Sequence, residues 1–113
     1  MKILIAADGS AHTKRMLAYI AAHDEWLGAV HDYTVLTVVT QVPGRAASFV
    51  DADTIKGYYE EEAQKVFSPI RKFFYKSGIA AKFVYKVGQP GAEVANFATK
   101  GKYEMLMLGT HGH

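Results

Sequence analysis

Four apolar runs of strand length, at 3–7, 33–42, 81–87 and 105–108, alternate with longer stretches whose apolar residues recur every three or four positions. That alternation is the pattern of βα units wrapped around a parallel sheet. The first run, Ile3-Leu4-Ile5-Ala6-Ala7, is apolar at every position, as a strand covered by helices on both faces must be. The last, Met105-Leu106-Met107-Leu108, has no polar face either. The third sets Lys82 and Lys86 between Ala81, Phe83, Tyr85 and Val87, and its charged face predicts the edge of the sheet.

The stretches between the strands read as helices. Ser10 is placed to cap one in which Thr13, Met16, Leu17, Ile20, Ala21 and Leu27 share a stripe, with Lys14 and Arg15 turned to water. Residues 45–53 are small and polar without a period and read as a loop. Ile55, Tyr59, Ala63, Val66, Phe67, Ile70 and Phe74 then predict a long helix over 54–77. Pro69 lies inside it and predicts a bend or interruption near 64–68, because the ring removes a donor and crowds the preceding turn at a cost of ~3 kcal/mol. Ser77-Gly78 ends that helix. Gly88-Gln89-Pro90 starts a short one, with Val94, Phe97 and Ala98 inward until Gly101. The predicted core is Ile3, Ile5, Leu17, Ile20, Val35, Val39, Val66, Ile70, Phe97, Leu106 and Leu108.

A chain of 113 residues holds one domain, 1–113, at the usual ~100 to 200 residues per domain. It is 50% hydrophobic and 21% charged, which is globular rather than disordered composition. The absence of cysteine excludes a disulfide scaffold, a thiolate zinc site, an iron–sulfur cluster and a cysteine nucleophile, and fits a reducing compartment. Thirteen Lys and Arg against eleven Asp and Glu, scattered singly and in pairs, leave no nucleic-acid footprint. No apolar run reaches the ~20 residues of a membrane helix. The expectation is a soluble cytoplasmic protein with neither nucleic acid nor membrane as partner.

In an open doubly wound sheet, ligands bind beyond the carboxyl ends of the strands where the strand order reverses. An order of 3-2-1-4 puts that reversal between the first and fourth strands, flanked by Asp8-Gly9-Ser10 and by the loop Gly109 to Gly112. Two glycines bring backbone N–H groups close to an anion, although G-x-x-G also makes a plain turn, and Asp8 is also a turn former. Both readings stay open on the residues alone. Neither a P-loop nor a dinucleotide fingerprint is present. His111 and His113 lack a third ligand for a metal. His12, His23 and His31 are expected at the surface. Asp51, Asp53, Glu60, Glu61 and Glu62 read as a water-facing stripe or as first-turn partners of a helix dipole. No acid–base pair falls at the predicted cleft, so binding is favoured over catalysis, with at most slow hydrolysis.

The start Ile3-Leu4-Ile5-Ala6-Ala7-Asp8-Gly9-Ser10, the strand ending Val38-Val39, the Gly88-x-Pro90 turn and Met107-Leu108-Gly109-Thr110-His111-Gly112 occur in the order found in the universal stress protein family. The chain resembles that family over its whole length. The resemblance implies an adenine nucleotide alpha hydrolase-like fold, whose sheet runs 3-2-1-4-5, and an adenine-nucleotide ligand, ATP or AMP. It implies that Asp8, Gly9, Ser10 and the backbone at Val39 hold the nucleoside, that Leu108 packs on it, and that Gly109, His111 and Gly112 present amides to ribose and phosphates. The family motif continues as x9-G-[ST], followed by a fourth helix and a fifth strand, and this sequence stops before them. A longer protein is therefore expected, with Mg2+ or Mn2+ only where that phosphate loop exists. The chain as read is expected to bind ATP weakly, and to cover its fourth strand by homodimerisation or strand swapping. Interaction with an unknown protein partner, without nucleotide, is the alternative role.

Overall fold

The computed structural model describes residues 1–22, 31–44 and 51–109. In chain order these form β1 (Lys2–Ala7), α1 (Ala11–Ala22), β2 (Asp32–Val39), α2 (Ala52–Ser77), β3 (Ala81–Val87), α3 (Pro90–Lys100) and β4 (Met105–Gly109). The strands make one sheet of order β3-β2-β1-β4, with every pairing parallel. Ile5 lies opposite Val35 on one side and Met107 on the other, so side chains at these positions share a face. The expected strand order and the edge position of the lysine-bearing strand are both observed. Leu27, His23, most of the 45–53 segment, His111, Gly112 and His113 lie outside the described residues.

One face of the sheet carries the main core. Ile3, Ile5, Ala7, Tyr33 and Val35 meet Met16, Leu17 and Ile20 of α1 and Ala63, Phe67, Ile70 and Phe74 of α2. On the other face Leu4, Ala6 and Leu36 are buried, and α3 packs across β2. There Tyr103 stacks on Phe97 and donates its hydroxyl to Thr34 Oγ1 at 2.9 Å.

Helix α2 corrects the expectation of an interruption: it runs unbroken for 26 residues with Pro69 inside. Its buried positions, Ala63, Phe67, Ile70 and Phe74, keep one helical face on both sides of the proline. Burying two phenylalanines and an isoleucine contributes roughly 1.5 to 3 kcal/mol each, more than the ~3 kcal/mol the proline costs. Both ends are also secured. Asp51 accepts from Thr54 N at 2.7 Å, which holds its carboxyl below the usual aspartate range, and Gly78 takes a left-handed φ of 69° to close the last turn.

Strand β2 ends at Val39 rather than at residue 42, because its partner β3 stops opposite at Val87. Val42 N donates instead to Tyr59 Oη at 2.9 Å, tying the loop to α2. The predicted core needs a second correction. Leu106 is 41% and Leu108 60% exposed, while Val39, Val66 and Phe97 are half-buried. The cause is the edge position of β4: Met105 and Met107 pack on the inner core, but Leu106 and Leu108 stand in register with Leu4 and Ala6, on the face where α3 lies over β2. A strand apolar on both sides is here covered on one. Val94 and Ala98 of α3 are likewise half-buried, and the helix has no fully buried residue.

Candidate functional site

The carboxyl ends of β1 and β2 open into a cleft of about 260 Å³. Asp8 lines it from the end of β1, residues 37–40 line it from β2, and Tyr58, Glu62 and Val66 face it from α2. Those three α2 residues are four apart and form one row of the helix. An apolar hollow of about 580 Å³ adjoins the cleft, sharing Thr40 and Tyr58 and bounded by Val42, Pro43 and Ile55.

The loop after β1 is built by local hydrogen bonds. Asp8 Oδ1 accepts from Ser10 N at 2.9 Å, which makes Asp8 the turn former that its residue type allows. Gly9 takes φ 78°, a left-handed conformation that glycine adopts without strain. Ser10 then opens α1: its Oγ accepts from His12 N at 3.2 Å and its carbonyl from Lys14 N at 3.3 Å. Thr13, one turn into the helix, reaches back, and its hydroxyl accepts from Asp8 N at 3.2 Å and Gly9 N at 3.1 Å. The same hydroxyl donates to the carbonyl of Gly109 at 2.5 Å. The loop after β1 and the end of β4 therefore meet through one side chain.

Gly109 owes its identity to a different cause from the one its motif suggests. Its φ is not positive. A Cβ there would stand 3.0 Å from Thr13 Cα and 3.1 Å from Met16 Sδ, so glycine is favoured by the close approach of α1 to the end of β4.

Of the residues singled out in the sequence, Asp8 and Val39 line one cleft, and Gly9 and Ser10 form its adjoining turn. Gly109 sits at the adjacent strand end, bonded to Thr13. Leu108 is in register with Ala6 on the opposite face from Val39, outside the cleft lining. His111 and Gly112 lie outside the described residues. His12 and His31 are half-buried rather than at the surface, the latter with its ring edge-on to Tyr33. Sequence reasoning missed Thr13 as a polar link, together with Tyr58 and Glu62. The signal for the last two was present in the spacing 58, 62, 66, which sets Glu62 apart from Glu60 and Glu61.

Among the described residues the cleft lining carries two carboxylates, Asp8 and Glu62, the hydroxyls of Thr37, Thr40 and Tyr58, and no cationic residue. Glu62 accepts from Lys65 Nζ at 2.9 Å, and that bond holds the exposed lysine above its ordinary pKa. Acceptors in such number suit a donor-rich neutral group, such as ribose hydroxyls or an amino edge, better than a phosphate. Among the described residues no group of three or more His, Asp or Glu stands ready to hold a metal ion. No helix among them is long and apolar enough to cross a membrane.

Solved structures share this architecture. The hypothetical protein MJ0577 is 25% identical with a TM-score of 0.74, over 99% of this chain and 76% of that one. An AMP-bound universal stress family protein from Arabidopsis thaliana is 11% identical with a TM-score of 0.70, over 99% and 78% of the two chains. A universal stress protein in complex with cAMP is 13% identical with a TM-score of 0.58, over 94% and 73%. No curated protein matches the chain significantly. The parallel sheet of order 3-2-1-4 flanked by helices is the adenine nucleotide alpha hydrolase-like fold. The profile of the universal stress protein family matches residues 1–113, and the chain belongs to that family.

Proposed function

We propose that this chain binds an adenine nucleotide, AMP or ATP, in the cleft at the ends of β1 and β2, and serves as a binding protein in a stress or signalling response rather than as an enzyme. The observation that carries the reading is the cleft itself. It lies beside the reversal of strand order, where Asp8 and the β2 end face α2 and the Gly109 strand end stands next to them. Similar folds are seen with AMP and with cAMP, which supports the ligand class. The carboxylates and hydroxyls of the lining point to recognition of the nucleoside, with Asp8 and Glu62 as acceptors and Val39 and Val66 as apolar walls. Phosphates would extend toward the loop that begins at Gly109, and Mg2+ or Mn2+ would enter with them rather than reside in the protein. The proposed setting is the cytoplasm.

Equilibrium dialysis with adenosine, AMP and ATP tests the proposal. Saturable binding of AMP that adenosine displaces is the expected result; no uptake of any of the three at millimolar ligand would remove it.

A second reading rests on a separate observation, the exposure of Leu106 and Leu108 on β4. In it the protein acts as a homodimer joined along that strand and through protein partners, without nucleotide.

A further inference from the structure

We infer that Thr13 is the positioning residue of this site, a clasp whose single hydroxyl holds the loop after β1 and the end of β4 at a fixed separation. The inference rests on the nucleotide reading for its consequence, and on geometry alone for its existence.

A threonine hydroxyl has one proton to give and two lone pairs to accept with. At Thr13 all three are engaged. The proton goes to the Gly109 carbonyl at 2.5 Å, with Asp8 Oδ1 further away at 3.3 Å, and the amides of Asp8 and Gly9 approach at 3.2 and 3.1 Å. Thr13 is 3% exposed, so water does not replace these bonds when the hydroxyl is removed. The partners come from two separate strand ends of the site. Asp8 lines the cleft and Gly9 makes the left-handed turn beside it, whereas Gly109 starts the glycine loop.

The packing around the clasp is tight enough to transmit its position. A Cβ at position 109 would be crowded against Thr13 Cα at 3.0 Å and the Met16 side chain, so helix and strand end lie in close contact. Asp8 Oδ1 is engaged by Ser10 N, which fixes the carboxylate against the same turn. Moving the hydroxyl therefore moves the cleft acid and the end of β4 relative to each other. A ligand that contacts both strand ends needs that separation preset.

The test compares Thr13→Val, which keeps the shape and deletes the hydroxyl, with Thr13→Ser, which keeps the hydroxyl. Gly109→Ala disturbs the clasp from the other side, and supplies the answer where the valine variant does not fold. Ile70→Val, a core change on α2 away from both loops, is the control for lost stability. Two readouts are taken: affinity for adenosine and AMP, and hydrogen exchange of the Asp8 and Gly9 amides by NMR. The valine and alanine variants should lose on the order of 10-fold to 100-fold in affinity, with faster exchange at both amides. Thr13→Ser restores both readouts, and Ile70→Val changes neither. Unchanged affinity in Thr13→Val, or lost affinity with both amides as protected as in the parent, would overturn the inference. A parent protein that binds no nucleotide defeats the functional reading instead, and the exchange data still decide whether the clasp exists.

Discussion

Asp8 does two things at one position, and its two oxygen-based roles are separable. Its Oδ1 builds the turn into α1 by accepting from Ser10 N, while the side chain also lines the cleft. Asparagine keeps an acceptor for the turn and loses the charge, whereas alanine loses both. Asp8→Asn should therefore keep the thermal midpoint and weaken adenosine binding, and Asp8→Ala should lower both, with about tenfold lost in affinity. Isothermal titration beside a melting curve checks this, and equal adenosine affinity in all three proteins would remove Asp8 from the site. The importance of Asp8 was legible in the sequence because an acid directly after a fully apolar strand falls at a predictable place. Thr13 was not, since threonine on a helical stripe reads as filler of the apolar face. Its polar role depends on what lies opposite, and here that is a strand end 96 residues away in sequence.

At the scale of elements, helix α2 shows how a local rule yields to packing. Pro69 is exposed, so its cost falls on the backbone alone, while Phe67, Ile70 and Phe74 are anchored in the core around it. Phe67 also meets Phe83 edge-to-face at 5.2 Å, with the Arg71 guanidinium lying over both rings. Replacing Pro69 by alanine returns a backbone donor to the helix and should stabilise the protein by about 1 to 3 kcal/mol, reduced somewhat by the greater freedom of the unfolded chain. A urea curve showing a loss instead would mean that the proline shapes the helix for its contacts. The same reasoning separates two core candidates. Phe67, 1% exposed, should cost about 3 to 5 kcal/mol on truncation to alanine, whereas Leu106, 41% exposed, should cost less than about 1.5 kcal/mol. Equal losses in denaturation would contradict the exposure of β4. Periodicity located each of the seven described elements, because it reports which positions of an element are apolar. It did not say which apolar face is covered, since that depends on where α3 lies, and α3 lies over β2 rather than β4.

For the whole molecule, the decisive contrast is between the two edges of the sheet. The β3 edge carries exposed Lys82 and Lys86, charges that oppose pairing with another strand. The β4 edge has neither lysine nor proline, only Met105-Leu106-Met107-Leu108-Gly109, and Leu106 and Leu108 stand exposed beside it. A second copy of the chain related by a two-fold axis would place the same strand against itself, pair the open backbone groups and bury four leucines, two from each protomer. Lys82 and Lys86 lie on the opposite edge, with two strands between, and take no part in such a contact. The chain of residues 1–113 should therefore sediment with a weight that rises with concentration across the micromolar range. Leu106→Lys, which puts a charge on that surface without touching the inner core or the nucleotide cleft, should return it to monomer with adenosine affinity intact. Association that persists in Leu106→Lys would move the interface elsewhere. An unsubstituted 1–113 chain that stays monomeric at every concentration would show that this strand does not join two copies.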